Sequence, residues 1–587
     1  MSATALPAEE QGLVEAVSGD EMMGYTAAIA RWVRLSGSED EAKAFDYIEQ
    51  TCKGFGMAVE RYAIDSLVSW PGPATLEILG DTPRRIPCIT HSFAAATDGL
   101  EGEVVYAPGA DLSGTRGKIA LCDGLANPGK AVAAQEAGVL AQINICDRLV
   151  HEMIITPIWG TPTTRTAPLI PQLVAVSVNE EDGAEVKRLA AAGGLRVRIT
   201  AEVDTRWRKI PTLTAEIEGQ EDRFVLFSGH VDSWHYGAMD NGTANATMLE
   251  VGRLLSQRRG ELKRGLRLAF WSGHSHGRYS ASTWYADHFW PELHERCVAH
   301  VNVDSTGGMG AEILSEANTM AETTAFAGRG IREVADQDLV YKRFGRAGDQ
   351  SFWGVGLPSI FMSLSGQPAQ GGAVEEQMGR LLGTGGRGRS GGLGWWWHTT
   401  EDTIDKIDRD NLMRDARVYV LTCWRLCTAS VLPLDYHATA EELLGALRDL
   451  ASKAGDRFDL SPVIREAETL VERTAALNAA AGKASGAAAA RVNDCLMALG
   501  RWLTPVNYTL MGEFEHDLAL GAQPIPALQP VARLAGLDPE SDQAKFLATE
   551  CVRARNRVWH ALDGANKEIA ATLAAIGSQP SAFSPQH

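Results

Sequence analysis

The chain has 587 residues, 45% hydrophobic and 22% charged, a composition typical of a soluble globular protein with several domains rather than one core. Its formal net charge of −19 would repel phosphates, which argues against nucleic acid or an anionic membrane surface as the main partner. No run approaches ~18 uninterrupted apolar residues, so no membrane span is expected, and "MSATALPAEEQG" lacks the basic start and apolar run of a secretory signal.

Residues from about 21 to 56 read as two amphipathic helices broken at "SGSED". "ATLEIL" follows as a strand, and the character then changes to short strands ("GEVVYAP", "GKIALCDG", "AQINICD") around an alanine-rich helix, "PGKAVAAQEAGV". From residue 217 buried strands alternate with helices. "RFVLFSGHVDS", "GLRLAFWSG" and "VAHVNVDSTG" are the strands; "NATMLEVGRLLSQ" and "STWYADHFWPELHERC" are read as one helix each. This alternation predicts an α/β fold with a mixed, mostly parallel sheet flanked by helices, whose site lies beyond the carboxyl ends of the strands. A glycine-rich loop spans 366–394, and alanine-rich helices run from 436 to 575 as a helical domain before a loose tail at 576–587. The expected division is a core of 1–75 and 205–435, an inserted α/β module of 76–204, and that helical domain. Nine cysteines without paired spacing, Cys423 and Cys427 placed as helix core, fit a reduced, cytoplasmic protein.

Strand ends and loops collect metal-type ligands: His230 and Asp232 in "GHVDS", Asp240 in "AMDNG", Asp304 in "NVDST" and His398 in "WWWHTT". Imidazole mixed with carboxylate suits zinc, and also manganese, iron or nickel. "SGHVDSWHYGAMDNGTANATMLEVGRLL", "VNVDSTGG", "AGDQSFWGVGLPSIF" and "HTTEDTIDKID" together resemble, in order, the signature segments of peptidase family M28, the co-catalytic zinc aminopeptidases and carboxypeptidases. The inserted module resembles a protease-associated (PA) domain. The C-terminal helices stand where the branch containing glutamate carboxypeptidase II and the transferrin receptor has its dimerisation domain, which implies a homodimer. The resemblance implies Asp240 as a carboxylate bridging two metals, His230 and Asp304 completing one site, His398 in the other, and Asp232 orienting a ligand histidine by a hydrogen bond.

One segment departs from the family pattern. Where the resemblance implies two consecutive glutamates, a general base and a metal ligand, "FWSGHSHGRYSAS" has His274 and Ser275. The His230, Asp240 and Asp304 site keeps three ligands and an open position, whereas Asp240 and His398 alone are two short of a tetrahedron. Either one metal remains, or His274 or His276 replaces the missing ligand. His274 is the candidate base, since imidazole takes protons near neutral pH, and His276 is a second catalytic candidate. Weaker substrate-binding candidates are Trp397, His235 and Asp349, the last equally readable as a helix cap, while the arginines of "GRGRSGG" are candidates for a substrate carboxylate.

The expectation is a metal-dependent hydrolase of an amide or peptide bond in a small substrate, with one or two divalent ions per chain. A non-catalytic binding or scaffold homologue, and a lyase or hydrolase of a non-peptide bond, are the alternatives.

Overall fold

The structure, a computed structural model, describes residues 6–109, 111–381 and 389–577. Its central strands, in sheet order Ser359–Ile360, Cys297–Asn302, Phe224–His230 and Gly265–Trp271, are parallel. Every residue of the three longer strands is buried, which is why each reads as an apolar run without alternation. Helices Ala244–Ser256 and Arg409–Thr428 contribute to the large core built on this sheet, and Gly19–Ala30 and Glu39–Gly54 start at capping serines, Ser18 and Ser38.

Two long strands, Ala58–Ile78 and Arg196–Ile217, pair antiparallel from Ala58↔Glu216 to Ile78↔Val197, with an irregularity between Pro71 and Ala74. One end of this ribbon joins the core sheet beside Gly265–Trp271. The other carries Thr97–Tyr106 and then the parallel strands Ile119–Asp123, Ala141–Ile145 and Val174–Val178 of the inserted module. That module has its own apolar cluster, including Leu121, Ile143, Val176 and Ile199. The ribbon is not evident from the sequence because prolines interrupt both strands and much of each is exposed.

The single helix expected over 282–297 is two helices, Ser280–His288 and Trp290–Arg296. Pro291 lacks the N–H that a continuous helix would need, so it is accommodated in a new first turn. Of the glycine-rich stretch, residues 382–388 lie outside the described residues, as do 578–587 of the tail. No helix among the described residues is long and apolar enough to cross a membrane.

The C-terminal region is helical: Tyr436–Ala454, Ser461–Ala481, Gly486–Tyr508 and Asp542–Gly577. It is joined to the core by Glu322, whose carbonyl accepts from Asp435 N and whose carboxyl accepts from Thr439 Oγ1 at 2.7 Å. Burial pushes this carboxyl up to about 7. The folded state therefore holds a proton that the unfolded chain releases near its ordinary value, and this contribution is lost as pH rises towards 7. Glu322→Gln is expected to gain ~3 kcal/mol more over wild type at pH 8 than at pH 4.5, measured by urea unfolding at both values.

Candidate metal centre

The carboxyl ends of the parallel strands converge on one buried cluster. His230 ends its strand, Asp304 lies just past the strand Cys297–Asn302, and the 273–279 turn follows Gly265–Trp271. Asp240 sits in the tight turn Ala238–Thr243. Gly237 closes that turn at φ +52, where an added Cβ would lie 2.1 Å from the Asp240 carbonyl oxygen, so only glycine fits.

His230 Nδ1–H donates to the Asp232 carbonyl at 2.9 Å, which leaves Nε2 facing Asp240 Oδ1 at 3.1 Å and Asp304 Oδ2 at 3.7 Å. His230 Nε2 and Asp240 Oδ1 are both buried and neither has a hydrogen-bond partner. An imidazole and two carboxylates aimed at a shared point, with His230 Nε2 and Asp240 Oδ1 lacking hydrogen-bond partners, fit a divalent cation, which would bind the imidazole in its neutral form. Burial opposes charge on His230, but Asp232, Asp240 and Asp304 raise its pKa well above the ordinary value. Burial likewise opposes charge on Asp240, yet His230 and His398 hold it far below the carboxylate range.

His398, at φ +59, lies on the other side of Asp240, with Nε2 3.0 Å from Oδ2. Its Nδ1–H donates to the Glu152 carbonyl at 2.6 Å, so Nε2 is the free acceptor, and the Trp234 indole N–H occupies it at 3.2 Å. Glu152 belongs to the inserted module and its N–H returns a bond to the His398 carbonyl. Burial pushes the Glu152 carboxyl up to about 8.

The 273–279 turn brings His274 to the cluster. Its ring stacks on His230 at 3.7 Å between centroids, and one ligand atom each from His230, His274 and Asp304 lies within 4.8 Å of the others. His274 Nδ1–H donates to Asp349 at 2.9 Å, leaving Nε2 with its lone pair. The other oxygen of Asp349 accepts from Ser282 Oγ at 2.8 Å, and Ser282 contacts Ser351, which accepts from the Trp159 indole. No described helix begins at Asp349, so the capping alternative does not hold; this acid orients His274 instead.

Asp232 orients His230 through its backbone carbonyl. Its carboxylate, 3.6 Å from Nδ1, instead accepts from Ser275 N–H at 2.8 Å, His274 N–H at 3.2 Å and Ser36 Oγ at 2.7 Å, and so sets the turn. His276 is buried against Ser36, 3.0 Å from Nδ1, and against the Trp234 ring; it does not line the pocket beside the cluster. His235 is also outside that pocket, 3.9 Å from Glu152, and burial lowers its pKa to about 4. Trp397 does line it. Of the "GRGRSGG" arginines, Arg387 lies outside the described residues and Arg389 donates to Ser315 Oγ.

Several contributors were not evident from the sequence. Asp402 accepts from the Met239 and Asp240 N–H groups; its place four residues after His398 was the available signal. Arg34 is fully buried and donates to the carbonyls of Ile29, Trp32, Val231, Tyr236 and Gly237, stitching down the loop between His230 and Asp240. Arg34→Met is expected to cost at least ~3 kcal/mol, because it strands buried carbonyls, and to weaken metal uptake; urea unfolding and metal titration check both.

The pocket is walled by Met153, Met362, Met378, Leu393 and Trp397, and carries Ser275, Arg278 and Tyr279 beside the metal-type residues. Met153 also lines a larger cavity, about 930 Å³, between the inserted module and the segments 343–346 and 519–523.

A parallel α/β sheet that delivers imidazoles and carboxylates from its strand ends to one buried point is a framework suited to holding a divalent cation. Residues 212–422 match the profile of peptidase family M28. A probable glutamate carboxypeptidase of Arabidopsis thaliana is 25% identical over 458 residues, 71% of this chain and 62% of that protein. The chain thus spans less than two thirds of that relative's length. Carboxypeptidase Q of Bos taurus is 25% identical over 279 residues, 43% of this chain and 58% of that protein. Among solved structures, a peptidase M28 precursor from Shewanella amazonensis aligns with a TM-score of 0.55 at 19% identity, covering 72% of this chain and 97% of that one. A zinc aminopeptidase from Bacillus subtilis aligns at 0.53 and 18% identity, covering 71% and 97%, and shares the fold.

Proposed function

We propose that the chain hydrolyses an amide or peptide bond in a small substrate, using one divalent ion per chain and His274 as proton carrier. The observation that supports this most is the pair of buried, unpartnered atoms His230 Nε2 and Asp240 Oδ1, 3.1 Å apart beside Asp304. His230, Asp240 and Asp304 would hold the ion, zinc first among the metals this donor set suits. When bound, it supplies Lewis-acid polarisation of the scissile carbonyl. His274, fixed by Asp349, takes a proton from the attacking water at Nε2 and passes it to the leaving amine. The count of one ion rests on two features: Ser275 offers only a hydroxyl, and the Trp234 N–H occupies His398 Nε2.

Elemental analysis of the purified protein, combined with hydrolysis assays on N-acylamino acids and dipeptides, tests this. One metal per chain with turnover supports it; a folded, metal-free protein without turnover supports the scaffold alternative; two metals would require a second ligand set. A homodimer through the helical region belongs to the same reading. Leu510, Met511, Phe514, Phe546 and Trp559 are exposed there, and a light-scattering mass equal to one chain would overturn that part.

A further inference from the structure

The turn that carries His274 also carries an arginine that the reading above leaves without a task. Arg278 and Tyr279 adopt φ +50 and +68, a region that bulky L-residues enter only when their surroundings force them, at ~1–3 kcal/mol each. The surroundings here do so. Gly160 N–H donates to the Arg278 carbonyl, the Tyr279 hydroxyl accepts from Gly348 N–H, and the Tyr279 ring packs on Trp159 at 4.2 Å. The strained turn brings the Arg278 side chain to the pocket shared by Asp240, His274, Asp304 and His398.

Arg278 is 4% exposed, and its buried Nε and Nη2 have no hydrogen-bond partner. Among the described residues no carboxylate lies within ion-pair distance of it, and the nearest group favouring its charge is the neighbouring Tyr279 phenol. Four other buried arginines are paired: Arg34 by five carbonyls, Arg267 by Glu216 and Glu292, Arg346 by Asp517, and Arg501 by the carbonyls of Leu293, Gly356 and Cys297. Arg264 also leaves Nε and Nη2 without hydrogen bonds, but its Nη1 donates to the carbonyls of Leu426 and Ala429 and Glu221 lies 3.7 Å away, whereas Arg278 has no such anchor among the described residues. A planar cation with unused donors, buried against apolar walls, is costly unless a ligand anion completes it, and its fork geometry matches a carboxylate. The carboxylates that line the pocket, Asp240 and Asp304, belong to the metal-type cluster, so among the described lining residues no other acid remains to receive a substrate ammonium.

We propose that Arg278 is the specificity-determining residue of this pocket, receiving a free carboxylate of the substrate beside the bond to be cleaved. This rests on the hydrolase reading and narrows it: the substrates are N-acylamino acids or short peptides cut next to a C-terminal carboxylate, rather than peptides held by an N-terminal ammonium.

The test uses the full chain, as wild type, Arg278→Gln and Arg278→Lys, with N-acetyl-alanyl-alanine and its C-terminal amide as matched probes. Binding is measured by calorimetry and hydrolysis separately, with metal content and circular dichroism confirming that the variants fold. Wild type is expected to bind the free acid about 100-fold more tightly than the amide, Arg278→Gln to lose that preference, and Arg278→Lys to keep about a tenth of it. Equal binding of acid and amide by wild type, no measurable binding of the acid at millimolar concentration, or a preference that survives Arg278→Gln would each overturn the proposal. If the acid preference depends on Arg278 but neither probe is cleaved, the carboxylate site stands and the hydrolase reading fails.

Discussion

Replacing His274 with glutamine is expected to lower turnover by about 10²–10⁴-fold while leaving the metal content of the protein unchanged. The expectation follows from the division of labour between the two ring nitrogens. Nδ1–H is committed to the buried Asp349 at 2.9 Å, so Nε2 is the atom that can accept a proton, and an amide at this position accepts none. Asp349→Asn should reproduce much of the loss with His274 still present. The new amide can donate to Nδ1 and favour the tautomer whose Nε2 already carries hydrogen. A recovery of the Asp349→Asn enzyme by Asp349→Glu would separate this orienting role from packing. The competing arrangement is specific: His274, His230 and Asp304 offer ligand atoms within 4.8 Å of one another, so His274 could itself hold the ion. In that case His274→Gln would lose metal along with activity. Metal analysis beside steady-state kinetics therefore decides between base and ligand in one experiment.

Which parts of this site were legible in the sequence depended on how local their signals were. His230 and Asp304 stand out because each ends or closely follows a fully buried strand whose apolar run is continuous, so a polar residue there marks the strand end, whereas Asp240, in a turn, was legible through the "DNG" segment. His274 was legible as a departure from a familiar pattern. Its partner Asp349, 75 residues later, was visible only as an acid in a motif, since the contact depends on the fold. Trp234 on His398 and Arg34 under the 231–237 loop gave no local signal at all, because tryptophan and arginine occur in loops for many reasons. Arg278 is the clearest case. A cation in a turn between glycine and tyrosine reads as a solvated surface residue, and only its burial without a partner shows otherwise. The same limit explains the fold-level differences. Pro291 was read through as part of one helix, and the ribbon of Ala58–Ile78 with Arg196–Ile217 lacks the regular alternation that would have marked two long strands.

Stripping the metal with a chelator is expected to lower the thermal midpoint reversibly, with zinc restoring it, and Asp304→Asn is expected to abolish that response. Binding to the folded state alone contributes about 4 kcal/mol when the free ion stands at 1,000 times its dissociation constant, enough for a clear shift in melting temperature. The two perturbations have opposite signs in the metal-free protein. Asp304 adds a third carboxylate to a cluster that already buries Asp232 and Asp240, and its own Oδ1 is bonded only to Ser305 Oγ. Neutralising it relieves repulsion, so metal-free Asp304→Asn should melt no lower than metal-free wild type. His230→Ala should also lose the zinc response but melt lower than either, because it opens a cavity and leaves Asp240 with one imidazole instead of two. A purely structural acidic cluster predicts the reverse for Asp304: loss of stability on substitution, and no dependence on zinc in wild type. Differential scanning calorimetry of the three proteins, with and without chelator, separates the two outcomes. A cluster that costs stability when empty and recovers it only with a cation would bear the mark of a site kept for binding rather than for packing.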